Sequence, residues 1–286
     1  MDAVLETLIK KAWNQWDKYG DPRSSDFIKE VCPVPPVLFV GDLCAYKKSK
    51  IKVITVALNP SKKGSDSNIQ SNEFPDWDVA KDMQSLKNQT EKYKKGLTCY
   101  FRNQPYRRFY GPFESILNGL DTSFYAVNQQ CNQMFNNRAL HTDLCSPLTT
   151  RPDWGNLDPN VQQKLGEDGS ILWNELVRYL KPDVILGSFA EKNLNWVKLQ
   201  PSNTNSCVVD ISTWEIIYKV PKANPYFVRS LSFEIGSEEP QNSLFIFGPF
   251  KGVRFPIDKK YKAELGKTLL QYLKDHGLNS VGLAPS

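Results

Sequence analysis

Short apolar segments alternate with amphipathic segments along this chain. The helical spacing of apolar residues predicts helices at residues 1–20, 109–120, 170–180 and 259–276. Unbroken or β-branched apolar runs predict strands at residues 37–40, 51–58, 124–127, 139–145, 184–187, 214–220 and 243–247. Strands that alternate with helices form a mostly parallel sheet that is covered on both faces. The pattern therefore predicts an α/β fold, a three-layer α/β/α sandwich with a central, mostly parallel sheet.

The domain organisation follows from the same pattern, because no repeat, low-complexity tract or clear linker divides the chain. We predict a single domain over residues 1–286 that begins with the helix at 1–20. Residues 61–105 are polar and rich in Gly, Ser, Asn and Lys, which predicts a long active-site loop. Residues from about 197 to 240 are predicted to be an insertion.

The bulk composition of the 286 residues is that of a soluble globular protein, with 40% hydrophobic and 23% charged residues. The six cysteines are scattered without a C-x-x-C pair, which argues against a zinc ribbon or an iron–sulfur cluster. There is no signal-peptide pattern and no apolar run of about 18 residues. We therefore expect a cytoplasmic protein without a membrane segment.

Basic residues crowd one part of the sequence, although the net charge is only +5. Clustered positive charge suits a polyanionic partner, whereas solvated lysines in loops are the alternative interpretation. The cluster consists of Lys47, Lys48, Lys50, Lys52, Lys62, Lys63, Lys92, Lys94, Lys95, Arg102, Arg107 and Arg108.

Several common catalytic motifs are missing from the sequence. There is no G-x-G-x-x-G, no G-x-x-x-x-G-K-[ST] and no G-x-S-x-G. His141 and His276 are the only histidines, and neither has an obvious serine partner for a triad. Dinucleotide-dependent, P-loop and serine-hydrolase chemistry are therefore poor interpretations.

Asn59 follows the most apolar predicted strand. Pro60 cannot donate to a sheet ladder, so the strand must end there. Open α/β sheets bind their ligands at the carboxyl ends of the strands, which makes Asn59 a candidate site residue. Its amide can orient a water molecule but cannot ionise. The alternative is an asparagine that only forms the turn before Pro60.

Five segments, in this order, resemble the uracil-DNA glycosylase superfamily, especially its mismatch-specific, thymine and single-strand-selective branches. The resemblance covers roughly residues 37–275. The segments are Ala57-Leu58-Asn59-Pro60-Ser61, Gly96-Leu97-Thr98-Cys99-Tyr100-Phe101, Tyr106-Arg107-Arg108-Phe109, Leu140-His141-Thr142-Asp143-Leu144-Cys145 and Lys181-Pro182-Asp183-Val184-Ile185-Leu186-Gly187.

The resemblance implies a monofunctional DNA glycosylase that acts on double-stranded DNA with an extruded nucleotide. Glycosidic cleavage needs a placed water and a pocket for the flipped base. Asn59 would hold the water, and Tyr100 or Phe101 would stack on the base, with ordinary core packing as the alternative for both rings. Further base contacts are expected from Leu58, Pro60 and His141, and DNA contacts from Ser61, Lys62 and Lys63.

Asp143 departs from the family pattern, which has an asparagine at this place. An amide both donates and accepts, whereas an ionised carboxylate only accepts, so Asp143 matches an exocyclic amino group such as cytosine N4. Excision of ordinary cytosine would destroy the cell's own genome. We therefore expect a 5-modified cytosine, such as the glucosylated hydroxymethylcytosine of phages. A uracil or thymine-mismatch repair glycosylase is the alternative.

The sequence also departs from the family after the late strand at 243–247, where many family members have an H-P-S motif and this chain has none. The following residues are Gly248-Pro249-Phe250-Lys251-Gly252-Val253-Arg254. Phe250 has the shape to fill the gap left by a flipped base, with Lys251 and Arg254 on phosphates. The alternative is a Gly-Pro turn with a buried phenylalanine.

No metal or cofactor is expected. His141, Asp143 and Cys145 alternate and would share one face of a strand, but they span about 13 Å at roughly 3.3 Å per residue, which is too extended for one ion. Glu73, Asp76 and Asp78 are candidates for a catalytic base or for a Mg²⁺-dependent nuclease. A DNA-binding module without activity is the other alternative. We expect a monomer.

Overall fold

A mixed β-sheet forms the centre of the architecture in the computed structural model. The structure describes residues 2–60, 74–75, 77, 83–103, 105–128, 133–198, 200–201, 215–219, 227–235, 241–247 and 259–275. Within these residues the strands are β1 Val53–Ala57, β2 Thr122–Ser123, β3 Val127–Asn128, β4 Gln133–Met134, β5 Asn137–Asp143, β6 Val184–Gly187, β7 Gln200–Pro201, β8 Glu215–Lys219, β9 Phe227–Ile235 and β10 Gln241–Phe247.

The sheet has a parallel part and an antiparallel part. Among the described residues its order is β2-β5-β1-β6-β10-β9-β7, with β8 also paired to β9. The pairs β2/β5, β1/β6 and β6/β10 are parallel, whereas β9 runs antiparallel to β10, β8 and β7. All five residues of β1 are buried, as expected of a central strand covered on both faces. The predicted α/β sandwich fold class is confirmed.

Helices connect the strands, as the amphipathic segments predicted. None of them, within the described part of the chain, is long and apolar enough to cross a membrane. They are α1 Ala3–Tyr19, α2 Leu43–Lys48, α3 Met83–Asn88, α4 Thr90–Cys99, α5 Arg107–Gly119, α6 Pro159–Leu180 and α7 Lys259–Asp275. Short 3₁₀ helices are found at Tyr100–Arg102, Trp154–Asn156 and Glu191–Trp196.

The chain divides into two compact units that each combine three separate segments. The first consists of Met1–Gly41, Ala57–Pro105 and His141–Tyr179, and the second of Asp42–Val56, Tyr106–Leu140 and Leu180–Ser286. Strands β1 and β5 begin in the second unit and end in the first. The prediction of a single domain stays a prediction.

Aromatic rings and an antiparallel helix pair form the core of the first unit. Trp77 is stacked between Phe74 and Tyr93, at centroid distances of 4.0 and 5.2 Å. Helices α1 and α6 are joined at Asp168, whose carboxylate accepts from Lys18 Nζ at 2.9 Å and from the Tyr19 hydroxyl at 2.8 Å. The hydrogen bond to Asp168 raises the pKa of Lys18.

Glu114 and Asp183 are buried carboxylates among the described residues of the second unit. Glu114 on α5 accepts from Ser123 Oγ at 2.7 Å and from the Phe124 backbone N–H at 3.0 Å. Asp183, just before β6, accepts from the Lys52 backbone N–H at 2.7 Å. Burial raises the pKa of both carboxyl groups, and the hydrogen bonds only partly offset this effect.

The structure confirms most of the predicted elements and corrects three. The segment 37–40 is buried but is not a strand, since only Val40 pairs, in an isolated bridge with His141. The segment 124–127 is not one strand because side-chain oxygens take its backbone donors: Glu114 accepts from Phe124 and Ser123 accepts from Tyr125. The predicted loop at 61–105 contains α3, α4 and a 3₁₀ helix, whose buried Leu86, Tyr93 and Leu97 follow helical spacing.

Candidate functional site

Asn59 lies just past the carboxyl end of β1, as predicted. The strand stops at Ala57, and Asn59 is 8% exposed. Leu58 and Pro60, the predicted base contacts on either side of it, are half-buried. The amide is therefore mostly enclosed, while its chain neighbours are partly open to solvent.

The segment that follows β5 is hydrogen-bonded along the end of β1. We call residues 144–152 the clamp loop. Leu144 N–H donates to the Ala57 carbonyl at 2.9 Å, and Cys145 N–H donates to the Leu58 carbonyl at 2.7 Å. Further on, Thr150 N–H donates to the Pro60 carbonyl at 3.3 Å. The clamp loop thus contacts the chain before and after Asn59.

The clamp loop also supplies the partners of the Asn59 side chain. Asn59 Nδ2 donates to Thr150 Oγ1 at 2.8 Å and to the Leu148 carbonyl at 3.3 Å. Thr150 Oγ1 in turn donates to the Pro152 carbonyl at 2.9 Å. The clamp loop therefore provides two acceptor oxygens for the two hydrogens of the amide nitrogen.

The N-terminal segment of the first unit, Met1–Gly41, also binds the clamp loop. Val37 N–H donates to the Pro147 carbonyl and Cys32 N–H donates to the Thr149 carbonyl, both at 2.8 Å. Helix α6 approaches it as well: a Cβ added at Gly169 would collide with the Cys145 carbonyl oxygen. The clamp loop is thus packed between elements that leave it little freedom to move.

Asp143 and His141 lie on the same face of β5, as the alternation predicted. Asp143 Oδ1 is 3.6 Å from His141 Nε2, and the side chains are 6% and 4% exposed. Asp143 Oδ1 is buried and has no hydrogen-bond partner among the described residues. A buried carboxylate oxygen without a hydrogen bond is costly, so this atom is a candidate acceptor for a further hydrogen-bond donor.

Cys145 does not continue this face, which corrects the prediction that all three residues share one strand. Strand β5 ends at Asp143, and the Cys145 backbone N–H turns to the Leu58 carbonyl. Burial, followed by the nearby Asp143 carboxylate, raises the pKa of the Cys145 thiol well above its usual value. Within the described residues no three His, Cys, Asp or Glu side chains are arranged to hold a metal ion.

Tyr100 and Phe101 are part of an aromatic cluster in the first unit. They are 2% and 7% exposed. The Tyr100 ring lies 5.0 Å from Phe74 and 5.1 Å from Phe101, in tilted and edge-to-face arrangements. This packing is what the core interpretation predicted, and a base-stacking role for either ring stays a prediction.

The remaining predicted contacts fall outside the described residues or into separate units. Outside the described residues lie Ser61, Lys62, Lys63, Glu73, Asp76, Asp78, Gly248, Pro249, Phe250, Lys251 and Arg254. Of the basic cluster, Lys47, Lys48, Lys50, Arg107 and Arg108 are exposed in the second unit, and Lys95 and Arg102 are exposed in the first.

Sequence reasoning missed Leu148 and Thr150, the two residues that hold the Asn59 amide. Leu148 acts through its backbone carbonyl, which leaves no trace in the sequence. A signal for Thr150 was present: it lies in the segment that follows a predicted core strand, and α/β proteins bind ligands in the region beyond such strand ends.

Comparisons with known proteins found no match among family models, curated proteins or solved structures.

Proposed function

We propose that this protein is a monofunctional DNA glycosylase that extrudes a 5-modified cytosine from duplex DNA and hydrolyses its glycosidic bond. The observation that carries the proposal is that two polar groups lie in one region, at the carboxyl ends of two strands. Asn59 is a fixed amide at the end of β1, and Asp143, at the end of β5, has a buried carboxylate oxygen that lies 3.6 Å from His141 Nε2 and has no hydrogen-bond partner among the described residues. Backbone hydrogen bonds join residues within two positions of each group, from the Leu144 N–H to the Ala57 carbonyl and from the Cys145 N–H to the Leu58 carbonyl.

The Asn59 amide suits the hydrolytic step. Its oxygen accepts a hydrogen bond from water and thereby orients the water oxygen towards C1′ of the extruded nucleotide. The water oxygen bonds to C1′ and the water loses a proton to solvent. The C1′–N1 electron pair leaves with the base, which takes up a proton. The transition state resembles an oxocarbenium ion, so positioning of the water contributes more than its ionisation.

Asp143 suits the recognition of the base. The oxygen that no described residue hydrogen-bonds accepts a hydrogen bond from an exocyclic amino group, which cytosine carries and uracil and thymine lack. A site that is built to pair with such a group rejects bases without it, because the buried carboxylate would then stay unpaired. Since ordinary cytosine must be spared, the proposed substrate is a cytosine with a large 5-substituent, as in hypermodified phage genomes.

The test compares base release from duplexes that carry uracil, a thymine mismatch, cytosine or glucosylated hydroxymethylcytosine. The full chain is incubated with each in EDTA, abasic sites are detected by alkaline cleavage, and the released base is identified by its mass. We expect release of the modified cytosine alone. Release of uracil alone contradicts the Asp143 argument. Binding without release indicates a DNA-binding module, and direct strand scission that requires Mg²⁺ indicates a nuclease.

A further inference from the structure

Asn59 can hold its amide in only one orientation. The Leu148 carbonyl only accepts hydrogen bonds, so the group that faces it at 3.3 Å must be the amide nitrogen. The Thr150 hydroxyl has one hydrogen, and it donates that hydrogen to the Pro152 carbonyl at 2.9 Å. Thr150 Oγ1 must therefore accept from Asn59, again at the amide nitrogen. Both neighbours exclude the flipped amide.

We infer that Thr150 is a positioning residue that directs the Asn59 carbonyl oxygen at the reacting water. Both amide hydrogens are used by Leu148 and Thr150, which leaves the amide oxygen as the polar atom of this side chain that can act on a ligand. Thr150 is itself fixed, because its N–H donates to the Pro60 carbonyl and its hydroxyl to Pro152. The catalytic consequence, but not the amide geometry, rests on the proposed function.

The same geometry explains why an asparagine and not an aspartate stands at position 59. A carboxylate would place an oxygen against the Leu148 carbonyl, and two acceptors in a buried place repel each other. The amide supplies the two hydrogens that these oxygens need. The clamp loop thus selects a side chain that is neutral and that presents one oriented acceptor.

The test uses Thr150→Val, which keeps the branched shape but removes the oxygen, and Thr150→Ser, which keeps the oxygen. Thr142→Val is the matched control. Thr142 is equally buried and its hydroxyl accepts from Trp173 Nε1 at 3.0 Å, so the control loses a hydrogen bond of the same kind away from Asn59. Thermal unfolding of all variants verifies that each is folded before rates are compared.

The first measurement does not depend on activity. The side-chain amide hydrogens of Asn59 are followed by NMR, and their signals are assigned by their loss in Asn59→Ala. In Thr150→Val we expect one hydrogen to shift and to exchange faster with solvent, whereas Thr150→Ser and Thr142→Val keep the wild-type signals. Unchanged Asn59 signals in Thr150→Val overturn the inference, whether or not the protein releases a base.

The second measurement is the single-turnover rate of base release from the substrate that the wild-type protein cleaves. We expect Thr150→Val to slow the rate about tenfold or more with unchanged DNA affinity, because a displaced water is no longer aligned for attack. Thr150→Ser should stay within about threefold of the wild type, as should Thr142→Val. Equal rates for Thr150→Val and Thr142→Val overturn the inference. If the wild type cleaves no substrate, the proposed function fails and the NMR result alone decides about Thr150.

A third variant, Asn59→Asp, tests the exclusion of a carboxylate. We expect it to be less stable than Asn59→Ala at neutral pH and to recover on acidification, because a protonated carboxyl group can donate a hydrogen to the Leu148 carbonyl. Stability of Asn59→Asp equal to the wild type at neutral pH would contradict this argument.

Discussion

Asn59 is held by hydrogen bonds rather than by packing alone, and this distinguishes it from an asparagine that only forms a turn. A turn asparagine bonds to its own backbone two residues further on. The Asn59 side chain instead reaches residues 148 and 150, about ninety positions away in the sequence. This long-range anchoring shows that Asn59 does more than form a local turn, and its role in a reaction stays a prediction.

The first prediction concerns Asn59→Ala. In the proposed mechanism the variant loses the acceptor that orients the water, so we expect the single-turnover rate of base release to fall by about 10²-fold or more. DNA affinity, measured by fluorescence anisotropy, should persist. Asn14→Ala, at an exposed position of α1, is the control. Wild-type release by Asn59→Ala would exclude a role for the amide in the reaction.

The second prediction concerns the choice of base by Asp143. In Asp143→Asn the side chain both donates and accepts, so it can pair with the carbonyl of uracil or thymine. We expect the ratio of uracil release to modified-cytosine release to rise at least about tenfold, the effect of one hydrogen bond. Competition between two labelled duplexes in one reaction gives this ratio directly. An unchanged ratio would mean that Asp143 does not contact the base.

At the scale of elements, two strands and the loop after one of them build the candidate site. Strand β1 ends at Ala57 and strand β5 ends at Asp143, and the clamp loop then follows the residues beyond β1. The sequence predicted both strands and their order. It did not predict the clamp loop, because backbone hydrogen bonds between distant segments depend on register and not on residue type.

The third prediction concerns the contact between α6 and the clamp loop. In Gly169→Ala the added methyl group collides with the Cys145 carbonyl. The colliding atoms belong to the backbone of Cys145 and Ser146, which cannot move aside as easily as a flexible side chain. We expect a loss of about 1–3 kcal/mol in the free energy of unfolding, measured with urea, together with slower base release.

Gly155→Ala is the control for this variant, since a Cβ at that exposed position meets open space. It should change the free energy of unfolding by no more than about 0.5 kcal/mol. If the two alanine variants are equally stable, helix α6 does not constrain the loop as the structure indicates.

At the scale of the whole molecule, buried carboxylates shape the dependence of folding stability on pH. The pKa of Asp183 is raised by burial, so the folded state keeps its proton at pH values where the unfolded chain has lost it. The free energy of unfolding therefore decreases as the pH rises from about 4, the ordinary aspartate value, through the folded pKa.

The fourth prediction follows from this titration. Asparagine at position 183 can still accept from the Lys52 N–H but does not titrate. The stability of Asp183→Asn relative to the wild type should therefore grow with pH in this window and stay constant above it. Urea unfolding between about pH 4 and pH 8 measures it. Asp26→Asn, at an exposed position, controls for net charge, and an equal trend in both variants would refute the assignment to burial.

The sequence by itself determined the class of fold, most of the element order and the position of Asn59 at a strand end. Apolar periodicity and Pro60 are local properties, and they are sufficient for these conclusions because a strand or helix buries its own face. They were insufficient at residues 37–40, which are buried but do not pair as a strand. They were also insufficient at residues 61–105, where a mostly polar sequence contains helices.

Only the tertiary structure decided which groups surround Asn59. It brought the Leu148 carbonyl and Thr150 Oγ1 to the amide nitrogen, and it buried one oxygen of Asp143 without a hydrogen bond from any described residue. It packed the ring of Tyr100 against that of Phe74 in an aromatic cluster. These facts depend on contacts between segments that are far apart in the chain, and no pattern of neighbouring residues specifies such contacts.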